Sequence, residues 1–122
     1  MTATVLIVED EPMIGRILAE KLTREGYGVA RAATVAGLEA AVAASDIALV
    51  DVTLDTDGIE AMTRLAGAGL RPRAGWFALV ESRAADEGAR AVRAGAAGVI
   101  IKPFKPTAVA TKVATLLAAA RP

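Results

Sequence analysis

The sequence predicts an α/β fold: a doubly wound, five-stranded parallel sheet with helices on both faces. Short apolar, β-branched segments alternate with longer amphipathic segments along the 122 residues, so that the pattern βα occurs five times. Strands that alternate with helices at this spacing imply a parallel sheet built with right-handed crossovers. The length is that of one ordinary domain, and we expect residues 1–122 to form a single domain.

The segment 46–51 is the strongest strand prediction, because four apolar residues are bounded by Asp46 and Asp51. A continuous apolar run of this length is typical of a strand buried on both faces of a parallel sheet. Open α/β folds bind their ligands at the carboxyl ends of such strands. We therefore expect Asp51 to emerge from the core at a binding crevice.

Two other strand patterns also end in charged residues. The first, over 5–8, runs into Glu9 and Asp10, and the last, over 99–101, runs into Lys102. If these strands lie parallel and close to the central one, their carboxyl ends share an edge of the sheet with Asp51. The sequence therefore predicts an acidic pocket that contains one ammonium group.

The remaining elements are predicted from apolar spacing and from helix start and stop signals. Pro12 suits the first turn of a helix that Gly26 ends, Thr34 is expected to cap the second helix, and Gly58 leads into the third. Further predictions are a weak strand over 27–32, a strand over 76–80, a helix over 84–94 and a last helix over about 106–120.

The predicted fourth helix carries Arg83 and Glu87, and also Asp86 and Arg90, each pair four residues apart. Such spacing is typical of a solvated, charged helix face, and we interpret these residues in that way.

Composition excludes several classes of function. Lys+Arg and Asp+Glu both number 14, so no excess positive charge indicates direct binding of nucleic acid. The sequence has no Cys and no His, which excludes thiol chemistry, the usual zinc sites and any mechanism that needs an imidazole. Any metal site in this chain would therefore use hard oxygen ligands. We see neither a signal peptide nor an apolar run of membrane-spanning length, and expect a cytoplasmic protein without membrane contact.

Three motifs, in order along the chain, carry a family resemblance. They are VLIVEDEP at 5–12, ALVDVTL at 48–54 and GAAGVIIKPF at 95–104. Together they resemble the response regulator receiver domain of bacterial two-component signalling, over almost the whole chain. The resemblance implies a flavodoxin-like receiver fold, with no output domain in this chain, and a phosphoacceptor role in signalling. A receiver is not an enzyme beyond its own phosphorylation and dephosphorylation.

The resemblance also implies roles for individual residues. Asp51 would be the phosphoacceptor, Glu9 and Asp10 would hold a divalent cation with Asp51, and Lys102 would contact the phosphoryl group. The backbone carbonyl of Thr53 would complete the protein's metal ligands, and the bond between Lys102 and Pro103 is a candidate cis peptide. Carboxylates beside an open face suit Mg²⁺, which prefers oxygen ligands and keeps several waters.

The implied partners are a histidine kinase or histidine phosphotransfer protein as phosphoryl donor and an unknown downstream protein. Receivers that dimerise through their last two helices typically pair basic residues with acids across the interface. The last helix here has no acid, so we expect a monomer or a weak homodimer without salt-sensitive pairing.

Simpler interpretations exist for the same residues. Glu9 and Asp10 could cap the first helix, and Asp51 could be a strand-end acid that accepts hydrogen bonds from loop amides. Haloacid dehalogenase-like phosphatases also use a strand-end aspartate, but they need a second acid two residues on, where this chain has Thr53.

Several positions depart from the family pattern. Val80 stands where the family has Thr or Ser, Val99 where an aromatic residue is usual, and Glu81 where the residue is usually small. Ser82 could replace the missing hydroxyl only if the loop shifts, and no proline follows Leu54. We therefore expect slow phosphorylation and a weak switch. The alternatives are a phosphorylation-independent pseudo-receiver that acts as a docking module and, more distantly, a stand-alone hydrolase.

Overall fold

The computed structural model describes residues 2–81 and 85–120, which form five strands and five helices in strict alternation. The strands are β1 (Thr4–Val8), β2 (Gly28–Ala32), β3 (Ile47–Asp51), β4 (Gly75–Glu81) and β5 (Gly98–Lys102). The helices are α1 (Pro12–Arg24), α2 (Leu38–Ala44), α3 (Gly58–Gly67), α4 (Ala85–Arg93) and α5 (Pro106–Ala119). All neighbouring strands are parallel, in the order β2-β1-β3-β4-β5. The predicted fold is confirmed.

Two apolar clusters cover the two faces of the sheet. Buried residues of α2, α3 and α4 pack on one face, and buried residues of α1 and α5 pack on the other. Every residue of β3 is buried, because this strand lies at the centre of the sheet between β1 and β4. The prediction of a strand buried on both faces is therefore correct.

The register of the sheet places the charged strand ends side by side. Val8 pairs with Val50, so that the residues following them, Glu9 and Asp51, leave the sheet at the same level. At the far side of β4, Glu81 pairs with Lys102.

The start of α2 differs from the prediction. Thr34 does not cap this helix, which begins at Leu38 after Gly37 in the left-handed conformation (φ 74°). The amide of Val35 instead donates a hydrogen bond to Asp55 Oδ1 across the molecule at 3.2 Å. A long-range contact thus holds residues 34–37 out of the helix.

The start of α1 is capped by neither Glu9 nor Asp10. Pro12 occupies the first helical position as predicted, and the Glu11 side chain accepts the hydrogen bond from the amide of Ile14 at 2.8 Å. Neither Glu9 nor Asp10 is the N-cap residue of α1, although Glu9 Oε1 accepts a hydrogen bond from the backbone amide of Glu11 at 3.2 Å.

Other predicted boundaries move by one residue, and β2 begins at Gly28 where the prediction began at 27. The predicted start of the fourth helix and Arg83 lie outside the described residues. None of the helices within 2–81 and 85–120 combines the length and apolar character needed to cross a membrane.

Candidate acidic site at the carboxyl edge of the sheet

Three carboxylates meet where β1 and β3 end. Glu9, Asp10 and Asp51 each place one oxygen within 4.8 Å of the others. Glu9 and Asp51 are 4% and 3% exposed, whereas Asp10 is exposed to solvent. The predicted convergence of these side chains is confirmed, with two acids inside the core and one on the open side.

Lys102, at the end of β5, is the ammonium group of this cluster. Its Nζ lies 2.9 Å from Asp51 Oδ2 and 2.9 Å from Glu9 Oε2, and the residue is 8% exposed. Only Asp51 accepts a hydrogen bond from it in good geometry. Glu9 Oε2 is thus a buried oxygen without a hydrogen-bond partner among the described residues. The peptide bond between Lys102 and Pro103 is cis, as predicted.

The second oxygen of Asp51 is held by the loop that follows β3. Oδ1 accepts hydrogen bonds from the backbone amide of Thr53 at 2.8 Å and from its hydroxyl at 3.1 Å. The simpler interpretation of Asp51, an acid that accepts a loop amide, is therefore also correct. The two Thr53 bonds fix the orientation of the carboxylate, which leaves Oδ2 directed at Lys102.

Gly58 is a structural requirement that the sequence interpretation missed. A Cβ at this position would lie 2.2 Å from the backbone oxygen of Asp51, and the Gly58 amide donates to the carbonyl of Val52 at 3.0 Å. The first turn of α3 is thus packed directly against the backbone of Asp51. A glycine directly after an N-cap aspartate is a sequence signal of this close approach.

The protonation of the cluster follows from burial and charge. Burial, reinforced by the neighbouring Asp51, raises the pKa of Glu9 to about 7. Burial also opposes ionisation of Asp51, but the Glu9 carboxyl, the Thr53 amide and Lys102 outweigh it and lower the pKa of Asp51. The two acids in turn raise the pKa of Lys102 despite its burial. The arrangement favours an ionised Asp51 beside a charged lysine.

The cluster fits a hard divalent cation. It offers three carboxylates, one of them on the open side, and a buried Glu9 oxygen that lacks a donor. A cation at this position would supply the missing partner of Glu9, and the oxygen-only donor set suits Mg²⁺. The contacts of the Thr53 carbonyl do not define its place, so its role as a metal ligand stays a prediction.

Two of the atypical switch positions, Val80 and Val99, contribute to the apolar cluster on one face of the sheet. Val80 is completely buried in the cluster on the α4 side of the sheet, and Val99 packs against it. Gly88 of α4 faces Val99, since a Cβ there would lie 3.5 Å from its methyl groups. Glu81 is exposed at the end of β4. Ser82 lies outside the described residues.

The loop between β3 and α3 is braced by side chains and not by a proline. Asp55 accepts from the amide of Val35 on one side. Asp57 Oδ1 caps α3 by accepting from the amides of Ile59 and Glu60 at 2.9 and 3.2 Å. Asp57 Oδ2 is bound by Arg90 of α4.

Arg90 lies on the solvated, charged side of α4, with 39% of its side chain exposed, but its partners differ from the predicted one. Its guanidinium binds Glu87, at 3.1 Å, and Asp57, and not Asp86 as the four-residue spacing suggested. The loop after Asp51 thus supplies one of the two acidic partners of Arg90.

Comparison with known proteins agrees with this geometry. A model of the response regulator receiver domain matches residues 5–114. The chain is 37% identical over 103 residues to the transcriptional regulatory protein KdpE of Mycobacterium tuberculosis, covering 82% of this chain and 44% of KdpE. It thus spans less than half of that relative.

Solved structures give the same result. A CheY-like response regulator receiver domain protein of Methanospirillum hungatei superposes with a TM-score of 0.87 at 26% identity, covering 98% of this chain and 97% of that one. The receiver domain of NtrX from Brucella abortus shares the fold, with a TM-score of 0.84 at 24% identity over 93% of this chain and 98% of that one. From its motifs, its fold and these matches, the chain belongs to the response regulator receiver domain family of two-component systems.

Proposed function

We propose that Asp51 accepts a phosphoryl group from a histidine kinase or a histidine phosphotransfer protein, and that residues 1–122 act as one receiver domain. The observation that carries this proposal is the environment of Asp51. Its carboxylate is buried at the carboxyl end of β3, 2.9 Å from the Lys102 ammonium and within 4.8 Å of Glu9 and Asp10 oxygens. Such a cluster prepares one ionised oxygen for reaction with a charged substrate.

The chemistry is an in-line displacement at phosphorus. A carboxylate oxygen of Asp51 forms the new bond to phosphorus, while the bond from phosphorus to the donor's imidazole nitrogen breaks and its electron pair stays on that nitrogen. Thr53 holds the carboxylate in one orientation during the approach. Lys102 neutralises charge on the phosphoryl oxygens, which the attacking anion would otherwise repel.

Glu9, Asp10 and Asp51, with the backbone carbonyl of Thr53, would hold Mg²⁺. When bound, the cation supplies a second positive charge beside the phosphoryl oxygens. The buried oxygen of Glu9 that has no hydrogen-bond donor in good geometry supports this assignment, because a bound cation would supply the missing partner.

Output in this proposal proceeds through protein contacts with an unidentified downstream partner, without direct binding of nucleic acid or membrane. The chain would have no turnover beyond its own phosphorylation and dephosphorylation, and a cytoplasmic site of action follows from a histidine kinase donor. A monomer or weak homodimer is expected, since α5 offers no acid to pair with the arginines of α4.

A second candidate function is a docking module that never uses phosphorylation. Val80 favours it, because a fully buried valine cannot donate a hydrogen bond to a phosphoryl group on Asp51. Glu81 favours it too, since it adds negative charge at the strand end opposite Lys102.

Intact-mass spectrometry separates the two functions. The purified chain is incubated with Mg²⁺ and acetyl phosphate, with a parallel sample in excess chelator. The phosphoacceptor function predicts one phosphoryl mass increment that depends on Mg²⁺. No increment from acetyl phosphate or from a phosphorylated histidine phosphotransfer protein would support the docking module.

A further inference from the structure

The loop after Asp51 and helix α4 are joined by one ion pair. Arg90, in the second half of α4, binds Asp57 Oδ2, while Asp57 Oδ1 stays on the α3 amides. The two side chains are 39% and 32% exposed, so the pair is half-buried. Burial opposes ionisation of Asp57, but the hydrogen bond from Arg90 outweighs it and lowers the pKa of this carboxyl. The charged Asp57 side chain thus connects the loop after β3 with the first turn of α3 and with α4.

The loop is also rigidly connected to Asp51. Thr53 binds Asp51 Oδ1, Thr53 and Asp57 form an antiparallel bridge, and Gly58 packs on the backbone of Asp51. A displacement of the Asp51 backbone or carboxylate is therefore transmitted to Asp57 through short, direct contacts.

The remaining interface of α4 with the sheet is smooth and apolar. Gly88 faces the methyl groups of Val99, and Ala91 is completely buried in the same cluster. Gly88 and Ala91 have no side-chain hydrogen-bonding group, so this part of the interface holds α4 through van der Waals contacts. Within the part of the chain that the structure describes, Arg90 and Asp57 make the polar contact between α4 and this loop.

We propose that the Asp57–Arg90 ion pair carries the response of α4 to the state of Asp51, in place of the hydroxyl and aromatic residues that Val80 and Val99 replace. This inference rests on the proposed phosphoacceptor function. Phosphorylation of Asp51 adds a strongly charged group at one end of the braced loop. A change at Asp51 moves α4 only through contacts that differ between the two states, and the ion pair is such a contact.

Amide NMR spectra with and without Mg²⁺ and beryllofluoride test the inference. We compare the native chain with Arg90→Gln, with Arg90→Lys, and with the control Arg93→Gln, which changes an exposed arginine of the same helix. In the native chain and the control, beryllofluoride should shift the amides of the loop 53–57 and of α4. In Arg90→Gln the loop shifts persist, while the α4 shifts fall about two- to fivefold, the range that a partly exposed ion pair can supply. Arg90→Lys restores part of the response.

If the loop amides respond to beryllofluoride, either of two results would overturn the inference. The first is that the α4 shifts are undiminished in Arg90→Gln, and the second is that the α4 amides of the native chain do not shift.

If the loop amides of the native chain do not respond, the phosphoacceptor function fails. The coupling through the ion pair is then tested by a second substitution, without beryllofluoride. Asp57→Asn keeps the helix cap and removes the charge. It should shift α4 amides in the native background and much less in the Arg90→Gln background, and equal shifts would exclude the coupling.

Discussion

The two ends of β3 carry the same residue type in opposite roles. At the amino end, Asp46 Oδ2 accepts from the amide of Thr4 at 2.8 Å and Oδ1 accepts from Arg73 at 2.9 Å. At the carboxyl end, Asp51 shares its only cationic partner among the described residues, Lys102, with a second buried acid. Asp46 is a satisfied structural anchor, whereas Asp51 belongs to a cluster with too little positive charge.

The difference shows what distinguishes a functional acid from a structural one. The Thr4 amide, and then Arg73, lower the pKa of Asp46, and each of its oxygens has its own donor. Beside Asp51, in contrast, Glu9 has one oxygen without a hydrogen-bond donor in good geometry, and burial raises its pKa to about 7. A buried cluster with unbalanced charge lowers stability, and proteins keep such clusters where a ligand or substrate restores the balance.

The largest expected effect is on phosphorylation. Asp51→Asn removes the attacking oxygen and should abolish the Mg²⁺-dependent phosphoryl increment in the intact mass. The matched variant Asp46→Asn, at the other end of the same strand, should keep the increment. Persistent labelling of Asp51→Asn would move the site to another residue.

The second effect is a difference in stability between a substitution packed against the carboxyl end of β3 and one on the open surface of α3. Gly58→Ala places a methyl group against the Asp51 backbone oxygen, and should reduce the free energy of unfolding by roughly 1–3 kcal/mol. The control Gly67→Ala, on the same helix with nothing within 4 Å of the new Cβ, should be neutral or stabilising. Urea unfolding of both variants gives the comparison, and equal stabilities would contradict the close packing at Gly58.

Magnesium should stabilise the protein through the acids at the carboxyl end of β3 and not through Asp46 at its amino end. At ten times its dissociation constant, Mg²⁺ raises the free energy of unfolding by about 1.4 kcal/mol, because it binds the native state. Asp10→Asn should remove most of the rise in melting temperature and leave the metal-free protein at least as stable, since it removes one of three crowded carboxylates. Asp46→Asn should keep the full rise. A magnesium response unchanged in Asp10→Asn would exclude Asp10 as a ligand.

The smallest expected effect is the contribution of Asp46 to stability. The folded-state pKa of Asp46 lies below its unfolded value of 3.8, so its contribution is complete above that value and is lost as the pH falls through the folded-state pKa. At pH 7 Asp46→Asn should cost about 1 kcal/mol. Below the folded-state pKa the native and variant proteins should converge, and thermal melts at both pH values measure this. A difference that does not narrow in acid would contradict the assignment.

Sequence reasoning predicts the strands and the cluster well, for a physical reason. Buried parallel strands must be continuously apolar, so the charged residues that end them are conspicuous, and parallel topology brings those ends together. Glu9, Asp51 and Lys102 were found in this way. Asp46 and Asp51 look alike in the sequence, and only the direction of the strand distinguishes them.

Contacts between distant segments were not predictable from local patterns. Asp55 takes the amide that a helix beginning at Thr34 would have used, and Asp57 takes the guanidinium of Arg90. Both acids come from the loop after Asp51, whose path depends on the tertiary structure. Local spacing therefore misplaces the start of α2 and pairs Arg90 with the wrong acid.

The central claim is that the phosphoryl group goes to Asp51, and chemical trapping tests it most directly. The native chain is treated with Mg²⁺ and acetyl phosphate, reduced with borohydride, which converts an aspartyl phosphate to homoserine, and then digested and mapped by tandem mass spectrometry. The account predicts homoserine at position 51 and unmodified aspartate at positions 10 and 46. Homoserine at any other aspartate, with position 51 unmodified, would contradict it.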